Sequence, residues 1–212
     1  MTQSLLFPAA AMLVFMSAAI YGFGFLHAEI SLWRSFWKTL PVALMAATVA
    51  LFDLPVLLVQ ALVLSAIGDY FLSLGKSKFT LGLVSFLTAH LLYIWLFWQL
   101  TEGVKLGWGH AGMAAFALIY GTYLWSRTGA FRLPVMAYIL VITLMVSVAL
   151  MLPPAYMLVV LGSLAFAFSD SVLALEMFVV SNPKSRNALS KVVWVSYIIA
   201  QSLIVVGLVE RM

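Results

Sequence analysis

Two aspartates interrupt long apolar stretches in closely similar settings, Gly68-Asp69-Tyr70-Phe71-Leu72-Ser73-Leu74 and Ser169-Asp170-Ser171-Val172-Leu173-Ala174-Leu175. The chain has only three aspartates, so two of the three stand where a charge is most costly. A carboxylate at membrane depth costs at least ~2.5 kcal/mol even on lenient insertion scales, and residues kept there usually face an interior and serve a function. The competing reading is a structural hydrogen bond tying two helices. Such links contribute only ~0.6 kcal/mol on average, which is little reason to keep a carboxyl group. The chemistry these residues offer is proton transfer.

Other chemistries lack their parts. With no cysteine, disulfides, thiolate metal sites and thiol nucleophiles drop out together. The three histidines, His27, His90 and His110, are dispersed, and no His-x-x-x-His or Glu-x-x-His spacing provides a metal site. No Gly-x-Ser-x-Gly elbow or phosphate loop occurs, so neither a metal nor an organic cofactor is expected.

The elements that must position the aspartates follow from composition. Apolar residues make up 65% of the chain and charged residues 8%, against about 25% charged in a soluble domain. Hydrophobic stretches recur along the whole length, which predicts one integral membrane domain over 1–212. Buried backbone must be satisfied internally, by helices or a closed barrel. Runs such as Leu133–Leu152 do not alternate as barrel strands do, so the fold class is all-α. With about 20 residues needed per span, eight transmembrane helices are expected near 5–26, 36–51, 55–74, 81–100, 110–126, 133–151, 155–178 and 189–209. Asp53-Leu54-Pro55 and Leu152-Pro153-Pro154 supply tight turns between neighbours. The run from Leu5 to Leu26 is long for a signal peptide and has no basic residue before it, so it reads as a retained first span.

Loop charge tests this count. Arg34, Lys38, Lys76, Lys78, Arg127, Arg132, Lys184, Arg186 and Lys191 follow helices one, three, five and seven, leaving only Lys105 and Arg211 for the other side. The positive-inside rule puts those nine in the cytoplasm and both termini outside, in a bacterial inner membrane. Scattered basic residues of this kind do not form a nucleic-acid surface. Helices three and seven then run the same way, each after a proline turn and each with an aspartate. The pattern suggests two four-helix halves related by an axis along the membrane normal, with coincidence in a leucine-rich chain as the rival reading.

At 1.5 Å per residue, Asp69 lies roughly 10 Å and Asp170 roughly 15 Å inside the cytoplasmic boundary. Tyr120, Tyr138 and Tyr197 fall near 10 Å by the same count, and His90, with Tyr93 one turn further on, at roughly 18 Å. A cavity open to the cytoplasmic leaflet would gather them. Taken singly, each tyrosine also reads as an interfacial anchor and His90 as a packing residue.

Gly68-Asp69, then His90-Leu91-Leu92-Tyr93, then Ser169-Asp170, and a last helix opening at Asn187 with Tyr197 and Gln201, resemble the YhhN-type lysoplasmalogenase family. Lys38 before Pro41 resembles that family's lysine near a proline, here spread into Lys-Thr-Leu-Pro. The resemblance covers essentially the full chain. It implies a multi-span hydrolase acting on a lysophospholipid within membrane lipid, cleaving the vinyl ether of lysoplasmalogens to a fatty aldehyde and glycerophospho-ethanolamine or -choline.

An enol ether hydrolyses by protonation of its outer vinyl carbon, and water captures the resulting oxocarbenium ion. That chemistry needs an un-ionised acid and a nearby carboxylate or polar group to hold water, as in glycosidases. On this reading Asp69 and Asp170 are the acid–base pair, either of them the acid. His90, Tyr93, Tyr120 and Tyr197 would orient water or the ether oxygen, and Lys38 and Asn187 would meet the lipid phosphate at the cytoplasmic rim. Two other classes stay open: a small proton-coupled transporter with a mid-membrane aspartate site, and a non-catalytic lipid-binding scaffold.

Overall fold

The computed structural model describes residues 2–52 and 54–211, with side chains from Phe7 onward. Asp53, the expected turn residue, lies outside the described residues. Eight α-helices run through the described chain: α1 (Thr2–Ile20), α2 (Leu32–Leu51), α3 (Val56–Ser73), α4 (Phe79–Leu100), α5 (Trp108–Trp125), α6 (Arg132–Ala149), α7 (Met157–Phe178) and α8 (Pro183–Val209). No strand occurs among the described residues, as expected of an all-α chain.

Among the described residues six helices, α1, α3, α4, α6, α7 and α8, are long and apolar enough to cross a membrane. The other two of the eight expected spans fall short. In α2 the first two turns carry Arg34 and Lys38, and α5 spends many positions on glycine, tyrosine and tryptophan. Large apolar side chains such as Phe23, Leu118 and Leu133 are exposed on helices throughout, a skin suited to lipid.

Two helix starts differ from expectation for the same reason. Helix α2 begins at Leu32 rather than 36 because Ser31 caps it, its hydroxyl accepting from the Arg34 amide at 3.1 Å. Helix α8 begins at Pro183 rather than 189. Asn182 accepts from the Lys184 and Ser185 amides, and proline suits the first helical position. Both starts are polar, so hydropathy places them too late. At the other end of α1, the expected span is completed by a π-turn over Tyr21–Phe25.

The chain divides into two compact units, Met1–Leu92 and Tyr93–Met212, the boundary falling inside α4. In the first, α2 and α3 are antiparallel and stitched at one end. Arg34 Nη1 donates to the Ser73 carbonyl (2.9 Å), and Ser73 Oγ donates to Ser35 Oγ (2.6 Å). Val42, Met45 and Val49 of α2 and Leu58, Ala61 and Leu62 of α3 are buried. Helix α4 follows after Gly75, whose φ of 89° ends α3 in the left-handed region. It closes on α3 at Gly68, where a Cβ would stand 2.6 Å from the Phe86 ring, and Ser85 donates to the Leu64 carbonyl (2.7 Å).

In the second unit the tightest contact is α7 against α8. A Cβ on Gly162 would sit 2.9 Å from the Ala200 carbonyl oxygen, and one on Gly207 2.9 Å from the Val159 amide nitrogen. Small residues let membrane helices approach backbone to backbone, which replaces the hydrophobic drive that lipid removes. Ser169 Oγ donates to the Val193 carbonyl (3.0 Å), fixing the antiparallel register. Leu124, Val135 and Ile139 form a cluster with Ala174 and Phe178, joining α5 and α6 to α7.

Candidate active site

In the first unit, the α2–α3 register carries inward from the serine stitch by one turn. It brings Lys38 Nζ to 3.8 Å from Asp69 Oδ1. The separation is that of a charge pair rather than a direct hydrogen bond. The carboxylate side chain is 3% exposed and the lysine 16%, so the pair is sheltered, with the lysine the more exposed of the two. The residue expected at the lipid rim thus sits beside one of the two aspartates expected to form the acid–base pair. Gly68 explains the burial of Asp69, because a glycine one residue earlier lets the Phe86 ring close over α3.

A groove of about 780 Å³ runs along α2 and α3, lined by Phe36, Thr39, Ala43, Val63, Ala66 and Tyr70 among others. Thr39 and Tyr70 are the chain neighbours of Lys38 and Asp69. One residue is a 100° turn on a helix, so the groove follows the outer face of the pair, and neither member of the charge pair lines it. His90 is 1% exposed, and its Nδ1 donates to the Phe86 carbonyl one turn back (2.7 Å).

In the second unit, Tyr138 of α6 donates its phenolic hydrogen bond to Asp170 Oδ2 of α7. Tyr120 of α5 donates to the carbonyl of Ser171, the next residue, at 2.5 Å. Two tyrosines from two helices therefore converge on one turn of α7, with Asp170 half-buried between them. Tyr93 is fully buried and donates to Gln201 Oε1 at 2.7 Å, joining α4 to α8. Tyr197 packs edge-on against Phe166, with ring centroids 5.5 Å apart, and beside Trp194. Asn187 is exposed in the second turn of α8, not at its opening, since Asn182 takes the capping place.

The α7–α8 register separates these groups along the helix axis. Ser169 is level with Val193, and Gly162 with Ala200 to Ile204. The Tyr93–Gln201 pair is therefore about eight residues, or roughly 12 Å, deeper than Asp170. Within this unit Asp170, Tyr138 and Tyr120 form one cluster and Tyr93 with Gln201 another.

Reading the sequence left two partners unassigned. Tyr138 lies at the same helix depth as Tyr120, and that depth was its only signal. Gln201 is an amide in the apolar part of α8, fully buried, with Nε2 unpartnered among the described residues. No cluster of three or more metal-ligating side chains occurs among the described residues. The arrangement can hold and move protons at two carboxyl groups, each with a proton-bearing neighbour.

The YhhN family model matches residues 33–208, a range that holds both aspartates, Lys38 and Tyr138. Proteins named lysoplasmalogenase from Mycobacterium bovis and Mycobacterium tuberculosis are each 31% identical to the chain over 158 residues, 71% of its length. The match takes in 59% of each relative, so the chain spans about three-fifths of the length of these curated relatives. No solved structure matches it. With the family pattern extending from α2 to the end of α8, the chain belongs to the YhhN family.

Proposed function

We propose that the protein is a membrane-embedded lysoplasmalogenase. It hydrolyses the vinyl ether of a 1-alkenyl-glycerophospho-ethanolamine or -choline, releasing a fatty aldehyde and the glycerophospho-base. The observation that carries this reading is the pairing of each intramembrane carboxylate with a proton donor, Lys38 for Asp69 and Tyr138 for Asp170, in a chain of this family.

Asp69 and Asp170 are the acid–base pair. One protonates the outer vinyl carbon, and the double-bond electrons form the new C–H bond while the ether oxygen shares the positive charge. The other, as a carboxylate, stabilises that cation and takes a proton from the attacking water. The hemiacetal then collapses to aldehyde and alcohol, and no redox partner is needed. Tyr120, Tyr197, His90 and Tyr93 orient water and the ether oxygen, and Lys38 with Asn187 receives the phosphate. All eight helices cross a bacterial inner membrane, with the basic loops cytoplasmic and the termini outside. The lipid then enters from the inner leaflet with its headgroup at the basic rim.

Purified full-length protein in detergent should release aldehyde from a lysoplasmalogen, and Asp69→Asn and Asp170→Asn should each abolish release while leaving the thermal unfolding profile intact. Normal turnover in both variants sinks the mechanism. A proton-coupled carrier would instead move intact solute across liposomes and leave no aldehyde.

A further inference from the structure

We infer that the groove between α2 and α3 is the berth of the lysolipid's single hydrocarbon tail, and that Ala43, Ala47 and Ala50 along it select the tail's length. The inference rests on the proposed hydrolase reading and adds to it the part of the protein that reads the tail.

One face of each helix builds the groove. Thr39, Ala43, Ala47 and Ala50 follow the three-and-four spacing of a single face of α2, and Val63 and Ile67 line the opposite wall from α3. Alanines in a membrane helix ordinarily mark the line where another helix comes close. Ala46, which is buried, fits that rule, but Ala43, Ala47 and Ala50 are exposed. Small side chains left open in this way hollow out about 780 Å³, the size of a site for one small ligand.

The two ends of the groove differ in polarity. Its polar lining, Ser35, Thr39 and Tyr70, lies at the end where Arg34, Lys38, Lys76 and Lys78 outnumber Glu29 and Asp69. No basic residue occurs between Lys38 and Lys76, and from Leu40 to Ala50 the α2 lining is apolar throughout. A lysolipid has the same polarity, one anionic headgroup on one apolar tail.

Thr39 stands at the changeover. Its Oγ1 is buried and unpartnered among the described residues, whereas Thr48 donates to the Leu44 carbonyl one turn back. A rotation about χ1 therefore turns the Thr39 hydroxyl into the groove without breaking a hydrogen bond, and there it meets the glycerol oxygens. Thr39 follows Lys38 in the chain, so the ether that joins headgroup to tail is level with the Lys38–Asp69 pair.

Tail length follows from helix rise. Ala47 lies ~12 Å and Ala50 ~16 Å beyond Thr39 along α2. With C–C bonds of about 1.5 Å, an extended tail advances ~1.25 Å per carbon, so about its tenth carbon passes Ala47. An octenyl tail ends short of Ala47, and an octadecenyl tail runs the whole groove.

Two measurements test this on the full chain in detergent. The first compares kcat/KM for the octadecenyl and octenyl forms of 1-alkenyl-glycerophosphoethanolamine. Ala47→Phe should lower the long-to-short ratio about tenfold or more, as overfilling a packed site does. Ala115→Phe, at an exposed alanine of α5, should leave the ratio at its wild-type value. A ratio unmoved by Ala47→Phe overturns the inference. If that variant alters the oligomeric mass instead, the groove belongs to a second copy of the chain.

The second measurement needs neither turnover nor a variant. An uncleavable 1-octadecyl-glycerophosphoethanolamine with a diazirine midway along its tail is photolysed on the wild-type protein. Label should fall on positions 43–50 of α2 and 59–67 of α3, displaced by excess unlabelled lysolipid but not by diacyl phospholipid. Equal displacement by both lipids marks ordinary bilayer contact and overturns the inference. Selective labelling of the groove without aldehyde release leaves the tail site standing and sinks the hydrolase. Aldehyde release with no label in the groove does the reverse.

Discussion

Tyr138 of α6 and Asp170 of α7 share a hydrogen bond in which the phenol is the donor. A hydrogen bond to a charged group contributes about 1.5–3 kcal/mol. Tyr138→Phe removes the donor and keeps the ring. The expected result is a kcat reduced ~10–100-fold, the size of a lost contact of that strength, with KM nearly unchanged. A Tyr138→Phe enzyme with wild-type kcat would show that the bond serves packing only.

The α7–α8 seam gives a purely structural prediction. Gly162 meets backbone, the Ala200 carbonyl oxygen and the Ile204 amide nitrogen, both 2.9 Å from a would-be Cβ. Neither can rotate aside, so Gly162→Ala must push the helices apart. A loss of about 1–3 kcal/mol is expected, as for other overpacked sites. Gly112, in α5, has nothing within 4 Å of a would-be Cβ, so Gly112→Ala is the matched control. Thermal unfolding in detergent separates them: a lower midpoint for Gly162→Ala alone is expected, and equal midpoints would contradict the close contact.

The sequence made the class and placing of the helices plain, because apolar runs bounded by proline turns and basic loops are one-dimensional signals. Both aspartates stood out for the same reason, as charges inside such runs. Helix starts were misjudged where a polar cap extends the helix beyond its apolar part, as at Ser31 and Asn182. Pairing was the other blind spot. Depth counting puts Lys38 near the rim and Asp69 roughly 10 Å inside, but the one-turn offset that joins them is set by the Ser35–Ser73 register between helices. A lysine's long stem blurs depth further, so its partner is legible only once the neighbouring helix is placed. Tyr138 and Gln201 escaped similarly, since a tyrosine or glutamine in a membrane helix looks alike whether it anchors or pairs.

Tyr93 and Gln201 offer a test of a buried polar link. The phenol donates to Gln201 Oε1 at 2.7 Å, and both side chains are fully buried. Tyr93→Phe leaves the amide oxygen without its donor, at a cost of about 1–3 kcal/mol for an unsatisfied buried group. Adding Gln201→Leu removes the orphan as well, so the double variant should recover most of the lost stability. A double-mutant cycle on unfolding midpoints measures the coupling. Strict additivity of the two losses would mean that the link contributes nothing.

The eight-span reading makes the sharpest topological prediction, because α2 and α5 are long enough but fall short of the hydropathy that marks a span. The chain has no cysteine, so single cysteines can be introduced without a background signal. Ala28, Phe52, Ser77, Thr101 and Ser126 lie after α1, α2, α3, α4 and α5 respectively. If all eight helices cross and the basic loops are cytoplasmic, an impermeant thiol reagent applied outside spheroplasts should label cysteines at 52 and 101. Cysteines at 28, 77 and 126 should react only after the membrane is opened. A short helix that dips in and returns leaves its two flanking positions on one side. Matching behaviour at 28 and 52 would therefore remove α2 from the count, and at 101 and 126 would remove α5. Loss of α2 as a span would matter most, since Lys38 rides on it and pairs with Asp69 of α3.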